Sequence, residues 1–369
     1  MINGAESATD GATIVAEAIR LVDSGAQISE DKCNQILDLF ESYEAWGPYF
    51  RLLKRLLTDS KLRRVSDFLR LARAQGLYLE DVNAAAETCR HLVADMKISF
   101  SELRDEFLPR IIEAGDFVAE AKILQRVSGV FVTKESNIEC LERLCLLFEK
   151  KVHNESELTG SYERLLSADP QNMKALRYFK LVFTQSGDWK EVVAILQRIM
   201  SSVKRRQELF RAAQELAGVY LYQLDQPDRA IRILDEHCND SPLDTSTLAF
   251  DAYQRQGDAD GCLKVLRQCV LNVNDDVSRA ILHFKMATLQ EQLGQSVDAY
   301  ENFLKASKLW ITFADPVEGA LNIALARKDW IAVKQLLADL ASRVQDMELV
   351  GQLSQAIKRL EHGLEHAGK

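Results

Sequence analysis

The stretch from Phe183 to Leu196, Phe-Thr-Gln-Ser-Gly-Asp-Trp-Lys-Glu-Val-Val-Ala-Ile-Leu, constrains the fold most. It reads as the end of one helix, a Gly-Asp turn, and a tryptophan opening a second helix with an apolar stripe. Related phrases begin at Gly187, Asp225, Gly257, Gly294 and Lys328, at spacings of 38, 32, 37 and 34 residues. Each follows one amphipathic stretch and opens another, so each unit reads as a helical hairpin. A lone hairpin cannot bury its apolar face, whereas a stack buries a continuous core.

Composition agrees with a helical stack. Only six prolines and seventeen glycines occur in 369 residues, and 47% of the chain is hydrophobic. Strong helix formers are abundant, so the expected fold class is all-α. The formal charge of −9 argues against general nucleic-acid binding, which runs on phosphate-neutralising cations.

The period near 34 and the Gly-Asp-aromatic-x-x-small phrase resemble the tetratricopeptide repeat (TPR). The family's small residue after the turn falls at Val192, Ala230, Cys262, Ala299 and Val333. Its large apolar residue four further on falls at Leu196, Leu234, Leu266, Phe303 and Leu337. The family's Asp-Pro ending is matched by Asp169-Pro170 and partly by Ser241-Pro242, and Gly218 and Tyr253 occupy its first-helix glycine and tyrosine places. The resemblance covers about 155–343. It implies a right-handed α-solenoid of antiparallel helix hairpins, whose first helices line a concave groove.

Upstream the pattern loosens. Residues 1–10 are small and polar and read as a flexible N-terminus, and residues 11–150 as irregular helical hairpins that continue the repeat in divergent form. Cys33, Ile36, Leu37 and Phe40 predict a buried stripe, Ser29 and Ser101 helix caps, Pro48 a first turn, and Pro109 a kink or early end. Gly115-Asp116-Phe117 echoes the downstream turn. Residues 151–343 hold the clearer repeats, and 344–369 a capping helix with Leu349, Val350, Leu353, Ile357, Leu360 and Leu364 on its apolar face.

No stretch carries a recognisable catalytic signature: there is no phosphate-cradling glycine loop, His-Glu-x-x-His or Gly-x-Ser-x-Gly. The seven cysteines sit inside apolar helical patterns, which favours a reducing compartment without disulfides. Cys262 and Cys269 lie seven apart and Cys140 and Cys145 five apart, without the convergent ligands a structural zinc needs. His237-Cys238 ends a helix, where a histidine interacts with terminal carbonyls. The expectation is no enzyme, no cofactor and no metal.

The remaining signal is surface. Under the resemblance, the groove presents Arg177, Leu181 and Thr184, then Glu215, Val219, Tyr222 and Gln223, then Asp251, Gln254 and Arg255. Phe284, Thr288 and Glu291 follow, then Glu318 and Asn322. A mixed polar and aromatic lining suits a peptide or a partner helix. In relatives that clamp a chaperone's terminal carboxylate, lysines and asparagines stand where this chain has Arg177, Leu181, Glu215, Val219, Thr247 and Asp251. That set cannot form a cationic clamp.

A second candidate is a basic stripe. Residues 51–73 carry eight basic residues, among them Arg51, Lys54, Arg55, Lys61, Arg63 and Arg64, against Asp59 and Asp67. The following stretch to residue 120 carries ten acids against four bases. The stripe reads as a site for an acidic partner or as a solvated hairpin face. The expected function is a cytoplasmic scaffold or adaptor binding protein partners in a regulatory or localisation complex. The alternative is an RNA-associated helical repeat protein. No membrane insertion is expected, and apolar faces at either end could form a homodimer as well as take a cap.

Overall fold

Helix ends, more than helix interiors, explain how this chain is organised. The computed structural model describes residues 5–58, 64–238, 242–343, 345 and 347–367. Among them the chain forms α-helices and four short π-helical stretches, and no strand. Consecutive helices pack on one another as hairpins. They group into two compact units, residues 1–178 and 179–369.

In the second unit all five turn phrases share one backbone device. Gly187, Asp225, Gly257, Gly294 and Lys328 each have a positive φ, between 50° and 75°. At Gly187, Gly257, Gly294 and Lys328 two backbone N–H groups turn back onto the orphan carbonyls of the preceding helix. Gly257 N donates to Gln254 O at 3.0 Å and Asp258 N to Tyr253 O at 2.9 Å, for example. This left-handed closure satisfies the helix C-terminus and stops it. The next residue then caps the following helix: Asp188, Asp258 and Asp329 accept from the N–H groups of Glu191, Gly261 and Ala332. A glycine or lysine followed by aspartate therefore ends one helix and starts another within two residues.

The repeat register follows from burial. Val192, Ala230, Cys262, Ala299 and Val333 are at most 3% exposed, and Leu196, Leu234, Leu266, Phe303 and Leu337 are buried too. Small residues at the first set let helix axes approach, and each buried large side chain contributes roughly 1.5–3 kcal/mol. Trp189 is partly buried against the cluster of Val192, Leu196, Leu216 and Leu234. The helix Met347–Ala367 covers the last repeat: Leu353, Ile357 and Leu360 pack on Phe303, Val333 and Leu337. Leu349 remains partly exposed, and the Leu364 side chain lies outside the described residues.

The first unit uses left-handed turns too, several of them at non-glycine residues. Glu44, Glu80, Gly115 and His153 have positive φ, and Asp81, Asp116 and Asn154 cap the helices that follow. The turns at 44, 80, 115 and 153 precede the one at Gly187 at comparable spacings. The two compact units divide between residues 178 and 179. Cys33, Ile36, Leu37 and Phe40 are buried as expected, packed with Tyr49, Leu52 and Leu53.

Several local expectations shift. The third helix starts at Trp46, with Pro48 in its first turn. Ser29 precedes its helix without a side-chain cap bond, and Ser99 rather than Ser101 forms a capping box with Glu102. The helix through Pro109 passes a π-helical stretch, Leu103–Phe107, and ends at Ile111. A second π-stretch, Ala74–Tyr78, brings Gly76 against the Ile111 carbonyl, where a Cβ would lie 2.1 Å from the oxygen. Only glycine fits that crossing.

Candidate functional site

The first helix of each hairpin carries the residues expected on the groove, and one of those helices carries an extra residue. Helix Arg206–Gly218 continues into a π-helical stretch, Val219–Gln223, before the turn at Asp225. That stretch takes up one residue of the 38-residue spacing from Gly187 to Asp225. Such insertions leave backbone groups without their i−4 partner and re-aim the side chains beyond them. Val219 and Leu221 turn into the core, while Tyr222 is left 45% exposed.

Three of the predicted groove residues converge on this point. The Tyr222 hydroxyl donates to Asp251 Oδ2 at 2.7 Å. The guanidinium of Arg255, one turn along the helix Pro242–Gln256, lies 5.4 Å from the centre of the Tyr222 ring. Arg255 Nη1 also donates to the Leu221 carbonyl at 2.9 Å and to Asp225 Oδ1 at 3.2 Å. The arginine thus satisfies a helix-end carbonyl, stacks on an aromatic face and pairs with the turn aspartate. The hydrogen bond to Asp251 lifts the Tyr222 phenol above its ordinary pKa, because ionising it would place two negative charges side by side.

A similar cross-helix tie stands one hairpin earlier, where Lys180 Nζ reaches both Glu215 oxygens at 2.7 and 2.8 Å. Thr184, Gln223, Gln254, Glu291 and Asn322 are exposed, and Arg177 is exposed in the first unit. Phe284 is placed differently: it is half-buried against Phe303 and Phe313, with ring centres 5.8 and 5.1 Å away. A large ring beside the aromatic core gains more from packing than from solvent. Sequence pattern alone did not reveal the role of Asp225 as an arginine partner. Its position as a non-glycine at a left-handed turn was the available signal.

The basic stripe is largely matched within its own unit. Arg51 pairs with Asp23 at 3.2 Å, and Arg55 donates to the carbonyls of Gly25 and Ala26 at 2.7 and 2.9 Å. Arg64 pairs with Glu30 and Asp67, Arg70 with Asp38, and Arg73 with Glu41. Apart from Asp67, three residues beyond Arg64, these partners lie roughly 30 residues back. Lys54 is exposed, and Lys61 and Arg63 lie outside the described residues. The stripe therefore acts first as a clasp between helices.

All seven cysteines are free and buried. Burial pushes the thiols of Cys89, Cys140 and Cys145 up to about 12 and that of Cys238 up to about 11. A thiol held protonated in this way is a poor nucleophile and metal ligand. His237 contacts its neighbour Glu236 at 3.8 Å. A cleft of 570 Å³ in the first unit brings Glu142, Arg143 and Lys174 together, but these charges already pair with Lys174, Glu120 and Glu142. Among the described residues no helix is long and apolar enough to cross a membrane.

No protein-family model matches the sequence. No curated protein matches it either. Among solved structures, similar chains include a tetratricopeptide repeat protein from Parabacteroides merdae, with 14% identity and TM-score 0.29 over 80% of this chain and 98% of that one. Yeast Tom70 is similar at 12% identity and TM-score 0.29, over 96% of this chain and 93% of that one. The TPR2AB domain of yeast Sti1, solved as a complex with pHSP90, is similar at 12% identity and TM-score 0.25, covering 81% and 97% of the two chains.

Proposed function

We propose that this chain is a non-catalytic scaffold that binds segments of partner proteins along the first helices of its hairpins. The observation that carries the reading is the Tyr222, Asp251, Arg255 and Asp225 network, which locks adjacent helices together and leaves an aromatic edge exposed. A pre-ordered surface of this kind docks a peptide or helix without the entropy cost of ordering the receptor. An exposed tyrosine beside an arginine is also the composition favoured where binding energy concentrates. The protonated, buried thiols support a non-catalytic reading, since they offer no activated nucleophile. The internal pairing of the basic stripe removes the main support for an RNA-associated role.

A photo-crosslinking amino acid placed at position 222, and separately at the exposed Lys190, tests the reading in cells of the native host. Specific protein adducts from position 222, absent from position 190 and lost in an Arg255→Glu background, are expected. Equal adducts from both positions would overturn it.

A further inference from the structure

The cleft of 570 Å³ in the first unit holds polar groups that its internal ion pairs leave unspent. Arg104 is bidentate on Asp105, Arg143 is bidentate on Glu120, and Lys174 reaches Glu142. Among the described residues, the lining charges without an ion-pair partner are Glu139, Glu149 and Lys150. All three are exposed, so two free carboxylates stand against one free ammonium.

Tyr162 adds a different kind of observation. It lines the cleft with only 7% of its surface exposed, and its ring stacks on Tyr178 with centres 4.2 Å and planes 19° apart. The Tyr178 hydroxyl is tied to Thr159 Oγ1 at 2.7 Å. The Tyr162 hydroxyl has no hydrogen-bond partner among the described residues. A phenol buried to that degree ordinarily finds one. Here the helix Glu155–Ala168 and the ring stack hold the side chain in place and leave its oxygen to the cleft. Burial first, and then the carboxylates of Glu149 and Glu142, push its pKa up, so it stays a neutral hydroxyl in a negative field. An oxygen in that setting accepts best from a cationic N–H group.

The cleft also has apolar lining and length. Leu146 is 38% exposed, and Phe100 and Leu165 line the same cleft. Glu139 and Glu149 stand ten residues apart along the helix Lys134–Leu147 and its continuation Phe148–Val152. That separation is roughly 15 Å of helical rise. An extended chain covers it in four or five residues, at about 3.3 Å each.

We propose that this cleft binds a basic segment of a partner protein, one cationic side chain on Tyr162 and Glu149 and a second, four residues along, on Glu139. The class of ligand rests on the scaffold reading above, while the site itself lies in the other unit from the Tyr222 network. Lysine and arginine carry apolar stems that can cover Leu146 while their charged ends reach the acids. A chain of formal charge −9 attracts such a segment and repels a nucleic acid.

Fluorescence anisotropy on the full chain tests it with three labelled peptides: Gly-Arg-Ala-Ala-Ala-Arg-Gly, its lysine counterpart and its glutamate counterpart. The arginine or the lysine peptide should bind, more weakly as salt rises, and the glutamate peptide should not. Tyr162→Phe removes only the hydroxyl and should weaken binding about fivefold. Its melting curve should match the parent, because that oxygen supports no contact in the fold. Glu149→Gln should weaken binding about as much as Tyr162→Phe, and Lys150→Glu should tighten it. Glu113→Gln, on the exposed surface outside the cleft, should leave it unchanged. The proposal is overturned if neither basic peptide binds, or if the glutamate peptide binds as tightly. It is equally overturned if Tyr162→Phe keeps the parent affinity, or if Glu113→Gln matches Glu149→Gln. Failure of the crosslinks at position 222 with this binding intact would count against the Tyr222 surface and leave this site standing.

Discussion

Tyr222 donates its hydroxyl proton to Asp251 Oδ2 at 2.7 Å, and so ties the last turn of one helix to the first helix of the next hairpin. Both residues were expected on the groove from the turn alignment alone. What the fold adds is that they are bonded to each other and that Arg255 covers the ring.

This bond has a titration signature. The phenol is held above its ordinary pKa, so the stability it contributes is complete below the unfolded value, near 10, and is lost as pH rises through the higher folded value. Nine tyrosines titrate in this chain, so the difference between parent and Tyr222→Phe spectra at alkaline pH isolates one of them. That difference should have its midpoint above free tyrosine, and Asp251→Asn should move it down. A midpoint at the free-tyrosine value would mean the bond is not formed in solution.

The left-handed turns predict stabilising substitutions. Lys328 and Asp225 hold φ of 61° and 50°, a conformation that costs a side-chain-bearing residue roughly 1 kcal/mol. Lys328→Gly should raise stability by about 0.5–1 kcal/mol in urea denaturation. Asp225→Gly should gain less, because it also loses the Arg255 contact. In the opposite direction, Gly187→Ala should cost about 1 kcal/mol through backbone strain alone, since a Cβ there meets nothing within 4 Å.

Gly261 tests packing rather than backbone. A Cβ on it would lie 2.2 Å from Tyr253 Cδ1, so the ring must move. Gly261→Ala should destabilise the chain by roughly 1–3 kcal/mol, as overpacking does. Adding Tyr253→Leu should recover part of the loss. An additive double mutant would show that the two helices do not meet there.

Asp67 makes a pH-dependent case. It is fully buried, accepts from Arg64 Nε at 3.1 Å through Oδ2, and leaves Oδ1 without a partner. Burial lifts its carboxyl above the usual range despite the neighbouring guanidinium. With the folded pKa raised, the favourable contribution is complete below the unfolded value, near 4, and is lost as pH rises through the folded one. Stability of the parent should therefore gain on Asp67→Asn as pH falls from 7 toward 4, read from urea midpoints. A difference that stays constant with pH would count against a buried, strained carboxylate.

Much of this architecture was legible because its signals are short-range. A helix end, a left-handed residue and an aspartate cap occupy four or five consecutive positions, so the phrase at Gly187-Asp188-Trp189 could be read directly. The buried positions five and nine residues later followed from the resemblance to the repeat family. The earlier turns at Glu44, Glu80 and His153 were missed because no glycine marks them, although Asp81 and Asn154 stand at the capping place. The π-helical insertion before Asp225 was hidden because an extra residue changes spacing without leaving a motif.

By itself, then, the sequence determined the helical class, the repeat, the turn chemistry and which apolar residues form the core, since hydrophobic periodicity and capping act within one or two turns of chain. Only tertiary structure decided what the charges and aromatics do. It matched Arg51, Arg55, Arg64, Arg70 and Arg73 to groups about 30 residues back wherever those lie across the chain, and drew Phe284 into an aromatic cluster. Charge pairing depends on which helices become neighbours, and a long side chain goes to whichever partner the packing brings within 3 or 4 Å.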